Sequence, residues 1–128
     1  MLCPGPKDQG KVVVLAASSM ANVLQEIKPE YLADHPCVTD LVFSFGSSAT
    51  LAAQIVNGSP ADVFISASEK TMNTVSDSGQ AVKTILFARN SGEIMVNPAS
   101  RFADKVTSLV SLSKTSNPGI KVGLCVTT

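Results

Sequence analysis

Three short stretches place small hydroxylated residues where a chain could hold an anion: Ala16-Ala17-Ser18-Ser19, Gly46-Ser47-Ser48 and Ser66-Ala67-Ser68. Each follows an apolar run and precedes residues with helical periodicity. Each therefore lies where a strand gives way to a helix. The first turn of a helix exposes backbone N–H groups that have no intrahelical acceptor, and the aligned peptide dipoles add roughly half a positive charge there. Serine hydroxyls at that point supply further donors, and small neighbours let an oxyanion approach the backbone closely. Serine is equally at home as an N-cap, its hydroxyl accepting from the helix's own amides. Two of the stretches carry adjacent serines, Ser18-Ser19 and Ser47-Ser48, whereas a cap needs only one. None of the three contains Lys, Arg or His. Phosphoryl transfer calls for cations or a metal at such a place, so the pattern suits binding and release of an anion better than reaction upon it.

The elements that would position these turns repeat three times. Val12 to Leu15 form a continuous apolar run, as in a strand covered on both faces, and Met20, Val23, Leu24 and Ile27 recur at helical spacing until Pro29 limits the helix. Leu41, Val42, Phe43 and Phe45 make a second strand, and Leu51, Ala52, Ile55 and Val56 the apolar face of a helix stopped near Gly58. Asp62 to Ile65 then lead through Ser66-Ala67-Ser68 to a helix through Met72 and Val75 that ends near Gly79. The apolar stripes of these helices read as core. Strand, turn and helix in this order specify an α/β fold with a parallel sheet, helices on its faces and right-handed crossovers. In such sheets ligands bind outside the carboxyl ends of the strands, where all three serine turns lie. Beyond Gln80 the pattern loosens: Glu93 to Val96 reads as a strand, Ala103 to Leu112 as a helix, Ser113 to Pro118 as a polar linker and Ile120 to Val126 as a last strand with no crossover after it.

Composition narrows the ligand. The 128 residues are 45% hydrophobic and 16% charged, enough to build a core within one domain or part of one. Ten basic and ten acidic residues cancel, so no diffuse field draws in nucleic acid or anionic lipid. Aromatics make up only 5%, with no Trp, which disfavours stacking of bases or sugars. Cys3, Cys37 and Cys125 are odd in number and far apart, giving neither a disulfide framework nor a metal pair. No apolar run reaches the roughly 18 residues that span a bilayer, and the first ten residues contain no signal-peptide core. Met1-Leu2-Cys3 before a Pro/Gly-rich stretch also matches the surroundings of a lipoprotein cleavage point.

Lesser motifs have ordinary structural roles. Ser111-Leu112-Ser113-Lys114 has the S-x-x-K spacing of penicillin-interacting serine enzymes but lacks their companion motifs. His35 stands in a polar loop with no triad partner, Asp62, at the start of the third strand, caps or braces a loop, and Glu69 complements the third helix's dipole beside a solvated Lys70.

The stretches GKVVVLAASSMANVLQEI, LVFSFGSSATLAAQIVNGSPADVFISASEKTM and EIMVNPAS resemble, in order and spacing, the molybdate-binding proteins that serve bacterial ABC transporters, over roughly Gly10 to Val126. The long ungapped SFGSSATLAAQIVNGSPADVFISAS is the most specific part. The resemblance implies a periplasmic-binding-protein-like fold of type II, closing two lobes on molybdate or tungstate and handing it to an inner-membrane permease. It implies a monomeric, extracytoplasmic solute-binding protein, not an enzyme, with no cofactor, no nucleic-acid partner and no directly ligated metal cation. Carried over by position, the anion-binding serines fall on Ser19 and Ser48 and a backbone amide donor on Ala67, with Ser18, Ser47 and Ser66 in support. Against the family's length the chain reads as a polar segment 1–10, a first lobe 11–86 that lacks the family's returning C-terminal segment, and the beginning of a second lobe 87–128. The competing expectations are a truncated or split-gene remnant that keeps the fold but binds little anion, a site for sulfate-type anions, and a serine-dependent enzyme, for which no base stands near Ser19.

Overall fold

The first apolar run becomes the centre of a sheet. The computed structural model describes residues 10–90, 93–113 and 116–123. Strand β1 spans Gly10–Ala17, two residues longer at each end than its apolar centre, and pairs in parallel with β2 (Val38–Gly46) on one side and β3 (Val63–Ile65) on the other. The order is β2-β1-β3. Helix α1 (Ala21–Asp34) connects β1 to β2, α2 (Ser48–Val56) connects β2 to β3, and α3 (Glu69–Asp77) follows β3. The two crossovers run in opposite directions across the sheet, so right-handedness puts α1 on one face and α2 on the other. The contacts agree. The Lys28 ammonium of α1 lies 5.8 Å from the Phe43 ring centre on one face, and Leu15, with Val13 and Phe64 beside it, packs with Leu51, Ala52, Ile55 and Val75 on the other. This is the expected parallel α/β sheet flanked by helices.

The helices bury side chains on the α2–α3 face, where Leu51, Ile55 and Val75 are buried and each contributes about 2 kcal/mol. The α1 face differs from expectation. Val23 and Ile27, read as core, are 41% and 45% exposed, and no residue of α1 is buried. Of α1, α2 and α3, α1 alone lies on that face, so among the described residues of this unit its stripe meets the sheet and no second helix. Pro29 does not end the helix either; α1 runs five residues past it to Asp34. Proline removes one hydrogen bond to the carbonyl of Gln25, and both residues are exposed, so water can satisfy that oxygen. α2 and α3 stop as the glycines predict, with Gly58 at φ +92° and Gly79 at φ +76°. Gly58 N–H donates to Ile55 O and Ser59 N–H to Gln54 O, closing the end of α2.

Asp62 braces the start of β3 as expected: its Oδ2 accepts from Val13 N–H at 2.7 Å while its own N–H donates to Val13 O at 2.9 Å. Lys28 ties α1 to β2 through Asp40 at 2.6 Å and the Leu41 carbonyl at 2.8 Å. Cys37 is disulfide-bonded, contrary to the reading of three isolated cysteines. Cys3 and Cys125 lie outside the described residues.

The chain divides into two compact units between Ile85 and Leu86. Among the described residues the second unit has no strand. Glu93 to Val96 and Ile120 to Gly123 are irregular, and the expected helix from Ala103 to Leu112 is reduced to 3-10 turns at Ala103–Lys105 and Val110–Leu112. Residues 124–126 of the last expected strand lie outside the description. A strand is stable only when neighbours take up its N–H and C=O groups. Here Met95 is 96% exposed, Leu109 and Val110 are also bare, and among the described residues of this unit no apolar side chain is fully buried.

Candidate functional site

The register brings the three serine turns to one edge of the sheet. Ala17 pairs with Gly46 and Ala16 with Ile65, so Ser18 leaves β1 level with Ser47 and Ala67. Neighbouring strands are about 4.8 Å apart. The chain then diverges: after β1 it enters α1 on one face, and after β3 it enters α3, which packs with α2 on the other. In open α/β sheets a ligand crevice forms where the connections part in this way.

In the first turn Ala16 and Ala17 belong to the strand and are buried, and Ser18–Met20 form a single 3-10 turn before α1. No side chain caps this turn. Ser18 and Ser19 are both exposed, and neither hydroxyl is hydrogen-bonded among the described residues.

The second turn divides its labour between the two serines. Ser47 is the N-cap of α2: its Oγ accepts from Thr50 N–H at 3.1 Å and lies 2.8 Å from Thr50 Oγ1. Ser48, the first residue of α2, is only 8% exposed. Its Oγ accepts from Ala67 N–H at 3.0 Å. β2 and β3 flank β1, so this bond joins their turns across the end of the central strand.

In the third turn Ser66 is committed locally, its Oγ donating to Ser68 O at 2.7 Å and accepting from Ser68 N–H at 3.1 Å. Of the residues singled out from sequence, the structure thus joins Ser48 to Ala67, leaves Ser18 and Ser19 uncommitted beside them in register, and uses Ser47 and Ser66 to shape their own turns. The hydroxyl bridge from Ser48 to Ala67 is the feature sequence reasoning missed, because no letter pattern shows which of two adjacent serines caps and which turns inward.

The electrostatics are those of neutral donors. Among the described residues no three His, Cys, Asp or Glu side chains gather as metal ligands. The first turns of α1 and α2 contain no acidic residue, whereas Glu69 occupies the first turn of α3 and answers that helix's dipole. The unanswered N-terminal fields are therefore those beside Ser19 and Ser48. His35 lies away from the turns, at the far end of α1, exposed and stacked on Tyr31 at 4.1 Å. In the S-x-x-K stretch Ser111 accepts from Thr107 and Ser108 N–H groups, each at 3.1 Å, and Lys114 lies outside the described residues. A separate cleft of about 360 Å³ in the second unit is lined by Ile94, Phe102 and Leu112, with the Arg101 guanidinium stacked on Phe102 at 4.8 Å.

The chain is similar to known proteins of bacteria. The molybdate-binding protein ModA of Haemophilus influenzae is 47% identical over 73 residues, 57% of this chain and 28% of the relative. That of Mycobacterium bovis is 32% identical over 125 residues, 95% of this chain and 46% of the relative. The chain thus spans less than half the length of either. A solved structure, the substrate-binding domain assigned to a molybdenum ABC transporter of Clostridium difficile, superposes with a TM-score of 0.52 at 32% identity, covering 54% of this chain and 30% of that one. The model of the bacterial extracellular solute-binding proteins matches residues 12–127, which takes in all three serine turns. The chain belongs to the bacterial extracellular solute-binding protein family.

Proposed function

We propose that this chain carries one wall of an oxyanion site, for molybdate or tungstate, in the solute-binding component of an ABC importer. The observation that carries the reading is the pair of uncommitted hydroxyls, Ser18 and Ser19, level with the first turn of α2, where no acidic side chain opposes an anion. The relatives, named as molybdate-binding proteins, support molybdate as the anion. Ser19 and Ser48 donate hydroxyl hydrogen bonds, and the N–H groups of Ser48 and Ala49, at the start of α2, add the helix field. Neutral donors hold a dianion without making it costly to release. The role is binding rather than catalysis, needs no cofactor, and has a membrane permease as its partner and an extracytoplasmic setting. The disulfide at Cys37 accords with an oxidising compartment.

Isothermal titration of the 128-residue chain with molybdate, tungstate and sulfate tests this. The expected result is a 1:1 heat with molybdate and tungstate and a weaker one with sulfate. Ser19→Ala should weaken molybdate binding by roughly tenfold, the worth of one hydrogen bond to a charged group. Absence of heat at millimolar molybdate, or a Ser19→Ala chain that binds like the parent, would refute the assignment.

A further inference from the structure

Resting on that reading of the site, we infer that Ala67 is a positioning residue: its N–H, instead of reaching the anion, holds Ser48 Oγ so that the Ser48 hydroxyl proton is presented to the anion. A hydroxyl has one proton and two lone pairs. The Ala67 amide occupies one lone pair at 3.0 Å and places a partial positive charge against that side of the oxygen, so the O–H turns elsewhere. Ser48 is more than nine-tenths buried, and among the described residues nothing accepts its proton. Carbonyls do not point out of a helix N-terminus, so α2 itself offers none. A buried hydroxyl with an amide behind it and no acceptor ahead is an oriented donor awaiting an acceptor, and a fully ionised oxyanion is made only of acceptors.

The same bond reports occupancy. An oxygen that donates its proton to an anion becomes a better acceptor, because hydrogen bonds in series polarise one another. Anion at Ser48 therefore strengthens the Ala67 bond. The Ser66 hydroxyl locks the turn that follows, so the third turn and the start of α3 tighten with it.

The test is a ¹⁵N–¹H spectrum of the full chain titrated with sodium molybdate, in the parent and in Ser48→Ala. In the parent, the Ala67 amide proton should move downfield along the same binding curve as the Ser19 amide, and its hydrogen exchange should slow several-fold. In Ser48→Ala, with molybdate raised until the Ser19 response saturates, the Ala67 shift should vanish. An Ala67 shift that persists in Ser48→Ala would mean that the amide contacts the anion itself, and would overturn the positioning role. So would an Ala67 amide that stays put while Ser19 responds. A parent chain in which no amide responds and no heat appears refutes the anion site, and this inference with it.

Discussion

Adjacent serines in one turn have separable jobs, and the separation is measurable. Ser47 spends its hydroxyl on Thr50 N–H, so Ser47→Ala leaves a first-turn donor uncapped and should lower stability by about 1 kcal/mol in urea unfolding. Its effect on molybdate affinity should be small. Ser48→Ala should do the reverse in kind: it takes a donor from the site and releases the Ala67 amide, so affinity falls more than stability does. A Ser47→Ala chain that keeps its stability but loses binding would exchange the two roles. All three turns are visible in the sequence, since two small hydroxylated residues, adjacent in the first two turns and split by Ala67 in the third, stand between an apolar run and a helical stripe. The letters do not distinguish Ser47 from Ser48. That difference rests on the extended backbone of Ser47, with φ −66° and ψ 140°, which turns one side chain back onto its helix and leaves the next to point inward.

At the scale of elements, proline and a single ion pair shape the first crossover. Pro29 lies in the interior of α1 and removes one intrahelical bond, at a general cost of about 3 kcal/mol. Part of that is recovered because proline also restricts the unfolded chain. Pro29→Ala should therefore stabilise the protein by about 2 kcal/mol and raise its helical circular dichroism; a loss of stability would mean that the helix needs the proline where it is. Local preference makes Pro29 a stop, but tertiary anchoring overrides it: Lys28, one residue before, is held by Asp40 and the Leu41 carbonyl of β2. The Lys28 ammonium, hydrogen-bonded to Asp40, holds that carboxyl below its ordinary value. A carboxyl lowered in the folded state adds stability above its unfolded value, and loses that contribution as pH falls through the lowered one. Melting temperatures of the parent and Asp40→Asn should therefore differ slightly at neutral pH and converge in acid, below the ordinary range of aspartate. The pair is partly exposed, so added salt should shrink the difference as well. A gap that widens in acid would reverse the assignment.

Over the whole molecule, the two units differ in how their backbone hydrogen bonds are satisfied, and that difference sets their expected dynamics. β1 is paired on both sides, and its Val14 to Ala17 are buried, so opening it means opening the sheet. The described backbone of the second unit has only turn-type bonds, such as Ser100 N–H to Asn97 O and Ala103 N–H to Ser100 O. Its apolar side chains at Met95, Leu109 and Val110 stand largely in solvent. The sequence is a poor guide here for the same reason. Glu93 to Val96 and Ile120 to Val126 have strand composition, but strand propensity records how well side chains fit a half-buried pleated surface, and no such surface is formed among the described residues of this unit. In the first unit the same kind of run succeeds because β1 gives β2 and β3 a ladder. Native-state hydrogen exchange should separate the units. Amides of Val14 to Ala17 should exchange only by global unfolding, with protection that falls as denaturant is added in step with the equilibrium transition. Amides from Glu93 to Val96 and from Thr107 to Leu112 should exchange near their unprotected rates, independent of denaturant. Protection of the second unit equal to that of β1 would show that its apolar runs are held in a cooperative sheet rather than by isolated turns.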